Sequence, residues 1–248
     1  MTAGSHRYLH VDALRAVAAL LVVWLHSIEF FGRLSVGGDW VHTLAGGSLD
    51  LGRVGVVIFF AISGFVIPAS LSDAPGAMKR FAVKRFFRLY PAYWVSVLLA
   101  SALALAIADR ADPTPLQFAA NLTMVQEFFG VVSVQGLYWT LHVELVFYAL
   151  CALAWARGLG RAPAFLPAAV VVMLAGFVVC LVLARLGGGK GSAIHTAGMY
   201  CLHLSIMFWG AIVRRWYDGA SLVRAEQLVL RGVVAGWLVL LTVALVGW

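Results

Sequence analysis

Seven blocks of apolar residues dominate the chain, at roughly 11–31, 54–72, 90–108, 137–156, 163–185, 196–213 and 228–248. Each approaches the ~20 residues that a helix needs to cross a bilayer. The blocks are continuous rather than alternating, and short polar stretches separate them. The pattern predicts an all-α, polytopic transmembrane helical bundle of about seven spans. The first block is not read as a signal peptide. Arg15 and His26 interrupt it, and no small-residue cleavage site follows.

The loops between blocks orient the bundle. With the N-terminus in the cytoplasm, twelve of the 18 Lys and Arg residues fall in inside loops and five in outside loops, Arg15 lying within the first span. The positive-inside rule therefore predicts a cytoplasmic N-terminus. Composition agrees: 62% of the 248 residues are hydrophobic and 12% charged, against about a quarter charged in a soluble domain. The net charge of +7 would suggest nucleic acid in a soluble protein, but here the cations sit where membrane topology needs them. Cys151, Cys180 and Cys201 all lie in apolar runs with no CxxC pair, so they read as small hydrophobes rather than disulfide partners or metal ligands.

Polar residues inside the apolar blocks carry the candidate chemistry, because a charge there is costly unless it faces protein or water. Arg15 and His26 are eleven positions apart, which on a helix is three turns plus about 20° and about 16 Å of rise. They share one face, with Asp12 and Glu29 three residues outside them. In the second span, Ser63-Gly64 suits close helix packing, and Pro68 is expected to end or kink the helix. The stretch "KRFAVKRFFRLYPAYW", Lys79 to Trp94, holds five cations within ten residues. Arg85 and Arg88 project from one side of a helical turn. Two readings stand: a basic segment that fixes topology on anionic lipid, or guanidinium forks that hold a phosphorylated small molecule. In "LYWTLHVELVFYAL", Trp139, His142 and Glu144 enter from the outer surface. A carboxylate at that depth is a functional candidate, set against an interfacial aromatic belt with a paired Glu. His203 reads as a packed core histidine. There is no P-loop, HExxH or GxSxG pattern.

In this order, these segments resemble the membrane-bound acyltransferase type-3 family. Its first helix carries Arg or Lys, ten residues, then His, which Arg15 and His26 match. Its "G-V-x-x-F-F-x-I-S-G-F" pattern is matched by Gly55, Val56, Phe59, Phe60, Ile62, Ser63, Gly64 and Phe65. Its "R-x-x-R-hydrophobic-x-P" corresponds to Arg85, Arg88, Leu89 and Pro91, and its "W-x-L-x-x-E-x-x-F-Y" to Trp139, Leu141, Glu144, Phe147 and Tyr148. These motifs cover roughly residues 8–150, and "MFWGAIVRRWYDG" looks like a weaker family element. Many members carry an acid where this chain has Val57, and members commonly have more spans than the seven read here. The resemblance implies a single integral-membrane acyltransferase-like domain, 1–248, short of the family's last helices.

It also implies an O-acyltransferase that moves an acyl group, usually acetyl, from cytoplasmic acyl-CoA to a hydroxyl of a sugar or cell-envelope glycan. Such a transfer needs a base, and an imidazole with a pKa near 6.5 suits that task. His26 is the expected base, with Glu144 orienting or electrostatically supporting it. Arg15, Arg85 and Arg88 are expected to hold the CoA phosphates, and the ~16 Å from Arg15 to His26 leaves room for a pantetheine arm. Ser63, Gly64 and Trp139 are read as structural first, Ser63 being a weaker candidate for a covalent relay. The expected co-substrate is acyl-CoA (acetyl-CoA), with no metal. The expected partners are a carbohydrate or glycolipid acceptor and membrane lipids, with no nucleic acid, in a bacterial cytoplasmic (inner) membrane. The competing readings are a transporter that uses the Arg, His and Glu residues as a polar path, and an inactive, truncated scaffold paralogue.

Overall fold

A computed structural model describes residues 8–34, 51–106, 113–189 and 192–246. Side chains at 30–34, 188, 234 and 237–246 lie outside the description. The longer elements are α1 (Leu9–Leu34), α2 (Leu51–Val66), α3 (Ala77–Ala106), α4 (Pro115–Asn121), α5 (Trp139–Ala156), α6 (Phe165–Leu183), α7 (Ala193–Tyr217) and α8 (Arg224–Val246). Short 3₁₀ and π turns fill several of the connections, and there is no strand among the described residues.

Six described helices are long and apolar enough to span a membrane: Leu9–Glu29, Leu51–Ser70, Ala77–Ala106, Gly136–Ala156, Phe165–Gly187 and Ala193–Tyr217. They correspond to the first six expected spans. The seventh, 228–248, overlaps α8, eleven of whose 23 side chains lie outside the described residues. The two prolines at these helices behave differently. Pro68 does end its helix: α2 stops at Val66 and a 3₁₀ turn, Pro68–Ser70, follows. Pro91, by contrast, lies inside α3, a single helix of 30 residues. The basic run that the sequence reading put in a loop before a span at 90 is therefore the first turns of the span's own helix. Proline removes one backbone donor, a loss that membrane helices tolerate when neighbouring groups satisfy the freed carbonyl.

The chain divides into two compact units, residues 1–69 with 160–248, and 70–159. In the first, α2 packs against α1 and α7 at glycines. A Cβ built on Gly64 would overlap the Met207 carbonyl of α7, and one on Gly210 would overlap the Ala61 carbonyl of α2. Only glycine lets the two backbones come this close, which is how helices gain dispersion contact when lipid removes the hydrophobic drive.

In the second unit, Tyr93 and Val97 of α3 pack with Met124 and Tyr138 from the segment that connects α4 to α5. Helix α4 starts cleanly: Thr114 Oγ1 accepts from Gln117 N–H at 3.1 Å, with Pro115 in the first turn where its missing donor costs nothing.

Candidate active site

Helix α1 is amphipathic in a membrane sense. Leu14, Val17, Leu20, Val23 and Trp24 are exposed, whereas Val11 and Ala18 are buried. Arg15 and His26 lie off the exposed stripe, with side chains 27% and 37% exposed. Each meets an acid three residues away, as helix geometry allows. Arg15 Nη1 donates to Asp12 Oδ1 at 3.1 Å, and His26 Nδ1 lies 2.9 Å from Glu29 Oε2. A carboxylate at Nδ1 favours the proton on that nitrogen and leaves the Nε2 lone pair to act. Gly64 sits at the α2–α7 contact. Gly64 serves the close approach described above, and the Ser63 carbonyl accepts from Ile67 N–H at 2.9 Å.

In the second unit, α3 carries Lys79, Arg80, Lys84, Arg85 and Arg88 and no acidic residue. Lys84 and Arg88 are four apart, a spacing at which like charges repel. Arg85 is partly buried. Its guanidinium lies 5.4 Å from both the Phe81 and Tyr148 ring centroids. Its Nη2 donates to Ser70 Oγ at 3.0 Å, while its buried Nε has no partner. Arg88 is exposed. Tyr148 connects two expected site residues: its ring lies under Arg85, and its hydroxyl donates to Glu144 one turn earlier on α5. Trp139 opens α5 and is partly buried. The structure thus brings Arg85 and Glu144 to one tyrosine, while the carboxylate found at His26 is Glu29.

The same unit holds a polar centre that the sequence reading did not assign. His142, fully buried, sets Nδ1 3.0 Å from Glu127 Oε2. Ser133 Oγ donates to Glu127 Oε1 and accepts from Gln126 Nε2 at 2.8 Å. The loop is built for this return. A 3₁₀ turn, Gln126–Phe129, ends at Gly130 with φ 73°, a conformation that favours glycine. The chain then reverses, Val131 N–H reaching the Gln126 carbonyl at 3.1 Å. Asn121 pins the returning segment by donating to the Val132 carbonyl at 3.1 Å and accepting from Val134 N–H at 3.0 Å. Met124 holds φ 60°, which is strained for a non-glycine residue and persists because Tyr93, Val97 and Tyr138 bury it. The His142 Nε2 atom, also buried, has no hydrogen-bond partner.

Two further arginines are tied down in the first unit. Arg214 Nη2 donates to Tyr8 Oη at 2.7 Å, its Nε to Asp218, and its guanidinium lies 4.5 Å from the Tyr8 ring centroid. Arg215 pairs with fully buried Glu226 at 3.2 Å. His203 behaves as expected of a core histidine: it is buried, Nδ1 lies 2.6 Å from the Met199 carbonyl, and the ring packs on Phe60.

A family model described as an acyltransferase domain matches residues 8–248. The chain is 31% identical over 161 residues to nodulation protein 10 of Rhizobium leguminosarum bv. viciae, covering 55% of this chain and 41% of that protein. It is 31% identical over 117 residues to protein 2 in the picA locus of Rhizobium radiobacter, covering 44% and 52%. It is 28% identical over 162 residues to acyltransferase MdmB of Streptomyces mycarofaciens, covering 62% and 40%. The matched stretch thus spans about half of these relatives or less. No solved structure matches significantly.

Proposed function

Because the chain belongs to the membrane-bound acyltransferase type-3 family, we propose that it moves an acyl group, acetyl in the first instance, from cytoplasmic acyl-CoA to a hydroxyl of a sugar or cell-envelope glycan. It does so as a multi-pass protein of a bacterial cytoplasmic membrane, with its N-terminus inside. The observation that carries the donor assignment is the charge state of α3. Arg15, Arg214 and Arg215 each have a carboxylate partner. Five cations on α3 share a helix with no acid, and the partly buried Arg85 keeps an unpartnered Nε. Like charges at this spacing, with no acid on the same helix, repel one another, and a polyanionic ligand would relieve that repulsion. Arg85 and Arg88 hold CoA phosphates in this reading, and Arg15 is a further donor anchor.

His26 takes the proton. The acceptor oxygen attacks the thioester carbonyl, the O–C bond forms and the C–S bond breaks. The hydroxyl proton passes to Nε2 and then to the departing thiolate. Glu29 holds Nδ1 and stabilises the transient imidazolium, as the carboxylate does in a triad. Glu144, fixed by Tyr148, contributes electrostatic support to turnover. The test is acyl-CoA affinity measured beside transfer of labelled acetyl in one detergent. The proposal expects Arg85→Ala/Arg88→Ala to lose affinity. Unchanged affinity in that variant, or no transfer by the wild type, overturns it in favour of a transporter or scaffold.

A further inference from the structure

Helix α3, at 30 residues, is longer than a bilayer needs, so its side chains mark which part of it meets lipid. Val83 and Leu105 are the outermost exposed large apolar side chains on it. The rise between them is about 33 Å, which matches a hydrocarbon layer of ~30 Å crossed at a modest tilt. Trp94 stands midway. Its Nε1 donates to the Leu122 carbonyl at 2.9 Å, Tyr90 Oη donates to the Thr123 carbonyl at 2.9 Å, and Tyr93 Oη donates to the Asn121 carbonyl. The chain that leaves α3 at Ala106 has therefore come back to mid-depth by Leu122. Helix α5 starts at the same level: the Tyr138 ring meets that of Tyr93 at 4.8 Å, and its hydroxyl lies 2.9 Å from Ser96 Oγ. We infer that residues 113–138 form a re-entrant segment inside the hydrocarbon layer, and that Phe128, Phe129 and Val132 bear on lipid acyl chains. This assignment is independent of the transfer chemistry.

The local chemistry fits that depth. An external loop can leave its backbone groups to water, whereas irregular backbone in hydrocarbon must be satisfied by protein. Here side chains do so. Besides the three carbonyls held by α3, the Val132 carbonyl accepts from Gln117 Nε2 at 3.2 Å and Asn121 Nδ2 at 3.1 Å, and Val134 N–H donates to Asn121 Oδ1 at 3.0 Å. Among residues 113–138 the one charged side chain is Glu127. Both its oxygens are engaged, by Ser133 and His142, as a charge at depth requires. Phe128, Phe129 and Val132 are 54%, 79% and 72% exposed. In water such a patch would invite association; in hydrocarbon it costs nothing. Lipid is the occupant because α3 presents exposed Val95, Leu98 and Leu99 at and beyond the same level, continuous with a face that a spanning helix turns to acyl chains.

The experiment places the full chain in phosphatidylcholine vesicles, with Cys151, Cys180 and Cys201 replaced by Ala. One nitroxide is attached at a time, at Phe129→Cys, Val132→Cys, Val95→Cys or Leu105→Cys. Power saturation with oxygen, which concentrates in hydrocarbon, and with a water-soluble nickel chelate reads depth as the ratio of the two collision rates. The ratio at Phe129→Cys and Val132→Cys should exceed that at Leu105→Cys and approach that at Val95→Cys, the mid-depth reference. A ratio at or below that of Leu105→Cys, with strong nickel relaxation, makes the segment an external loop or the wall of a water-filled vestibule and overturns the inference. Weak relaxation by both agents, the mark of a protein–protein contact, also overturns it. If the cysteine-free chain fails to fold, p-benzoylphenylalanine at position 129 of the otherwise native chain gives the decision. Photo-adducts with phospholipid acyl chains uphold the inference. Their absence, while the same group at position 105 forms them, overturns it.

Discussion

His26 and His142 each set Nδ1 against a glutamate, at 2.9 and 3.0 Å, yet the two pairs are built in opposite ways. The first is local. Glu29 is three residues along the same helix, and both side chains are more than a third exposed. The second joins residues fifteen apart through a loop with a left-handed glycine and a strained methionine, and it buries the imidazole completely. A proton-transferring base must be reached by two substrates in succession, which suits the half-exposed ring. A fully enclosed ring suits an internal contact that holds the loop in place. The same geometry at Nδ1 therefore supports two different assignments, and variants can separate them.

The largest effect should come from His26→Ala. Positioned acid–base catalysis contributes about 10²–10⁴-fold, so transfer should fall by that range while acyl-CoA affinity holds. Rates and affinities in the same detergent check this. Wild-type turnover in the variant would remove the base from α1 and end the contrast between the pairs.

Next in size is the donor face. Hydrogen bonds to charged groups contribute about 1.5–3 kcal/mol each, so Arg85→Ala should weaken acyl-CoA binding roughly tenfold to a hundredfold. Arg88, exposed on the same helix, should matter less. The loss in Arg85→Ala/Arg88→Ala should be larger at low salt, because screening already weakens the wild type at high salt. Lys should rescue only partly, lacking the fork. Calorimetric titration at two ionic strengths measures both features.

The contrast also explains what the sequence disclosed. Interactions within one helix are functions of spacing alone. Thus Asp12, Arg15, His26 and Glu29 could be placed on one face, and Arg85 and Arg88 on one side of a turn, before any coordinates. Six spans were legible because bilayer thickness fixes their length. The His142 centre was not. Nothing in "WTLHVELVFY" points fifteen residues back to Glu127, and the link depends on how Gly130 and Asn121 return the loop. The basic run was misplaced for a related reason. Proline and charge both argue for a boundary near Pro91, but α3 runs on through it. The Tyr8–Arg214–Asp218 clamp joins residues more than 200 positions apart, beyond any periodicity.

The smallest effects, on stability, sharpen the comparison most. Glu127→Ala strands a buried imidazole N–H and removes the acceptor for Ser133. A buried group left unsatisfied costs about 1–3 kcal/mol, so the protein should unfold measurably earlier on heating in detergent. Glu29→Ala removes a half-exposed pair within one helix, where such pairs contribute below about 1 kcal/mol, so its unfolding should hardly move. Turnover should rank the other way. Loss of Glu29 frees the tautomer and orientation of the proposed base, and transfer should fall well beyond what the small stability change explains. Loss of Glu127 should leave turnover per folded molecule near the wild-type value. Parallel melting curves and steady-state constants for the two variants decide the matter. If Glu29→Ala is the less stable of the two, or transfers at the wild-type rate, the division of labour between an open base and an enclosed contact is wrong.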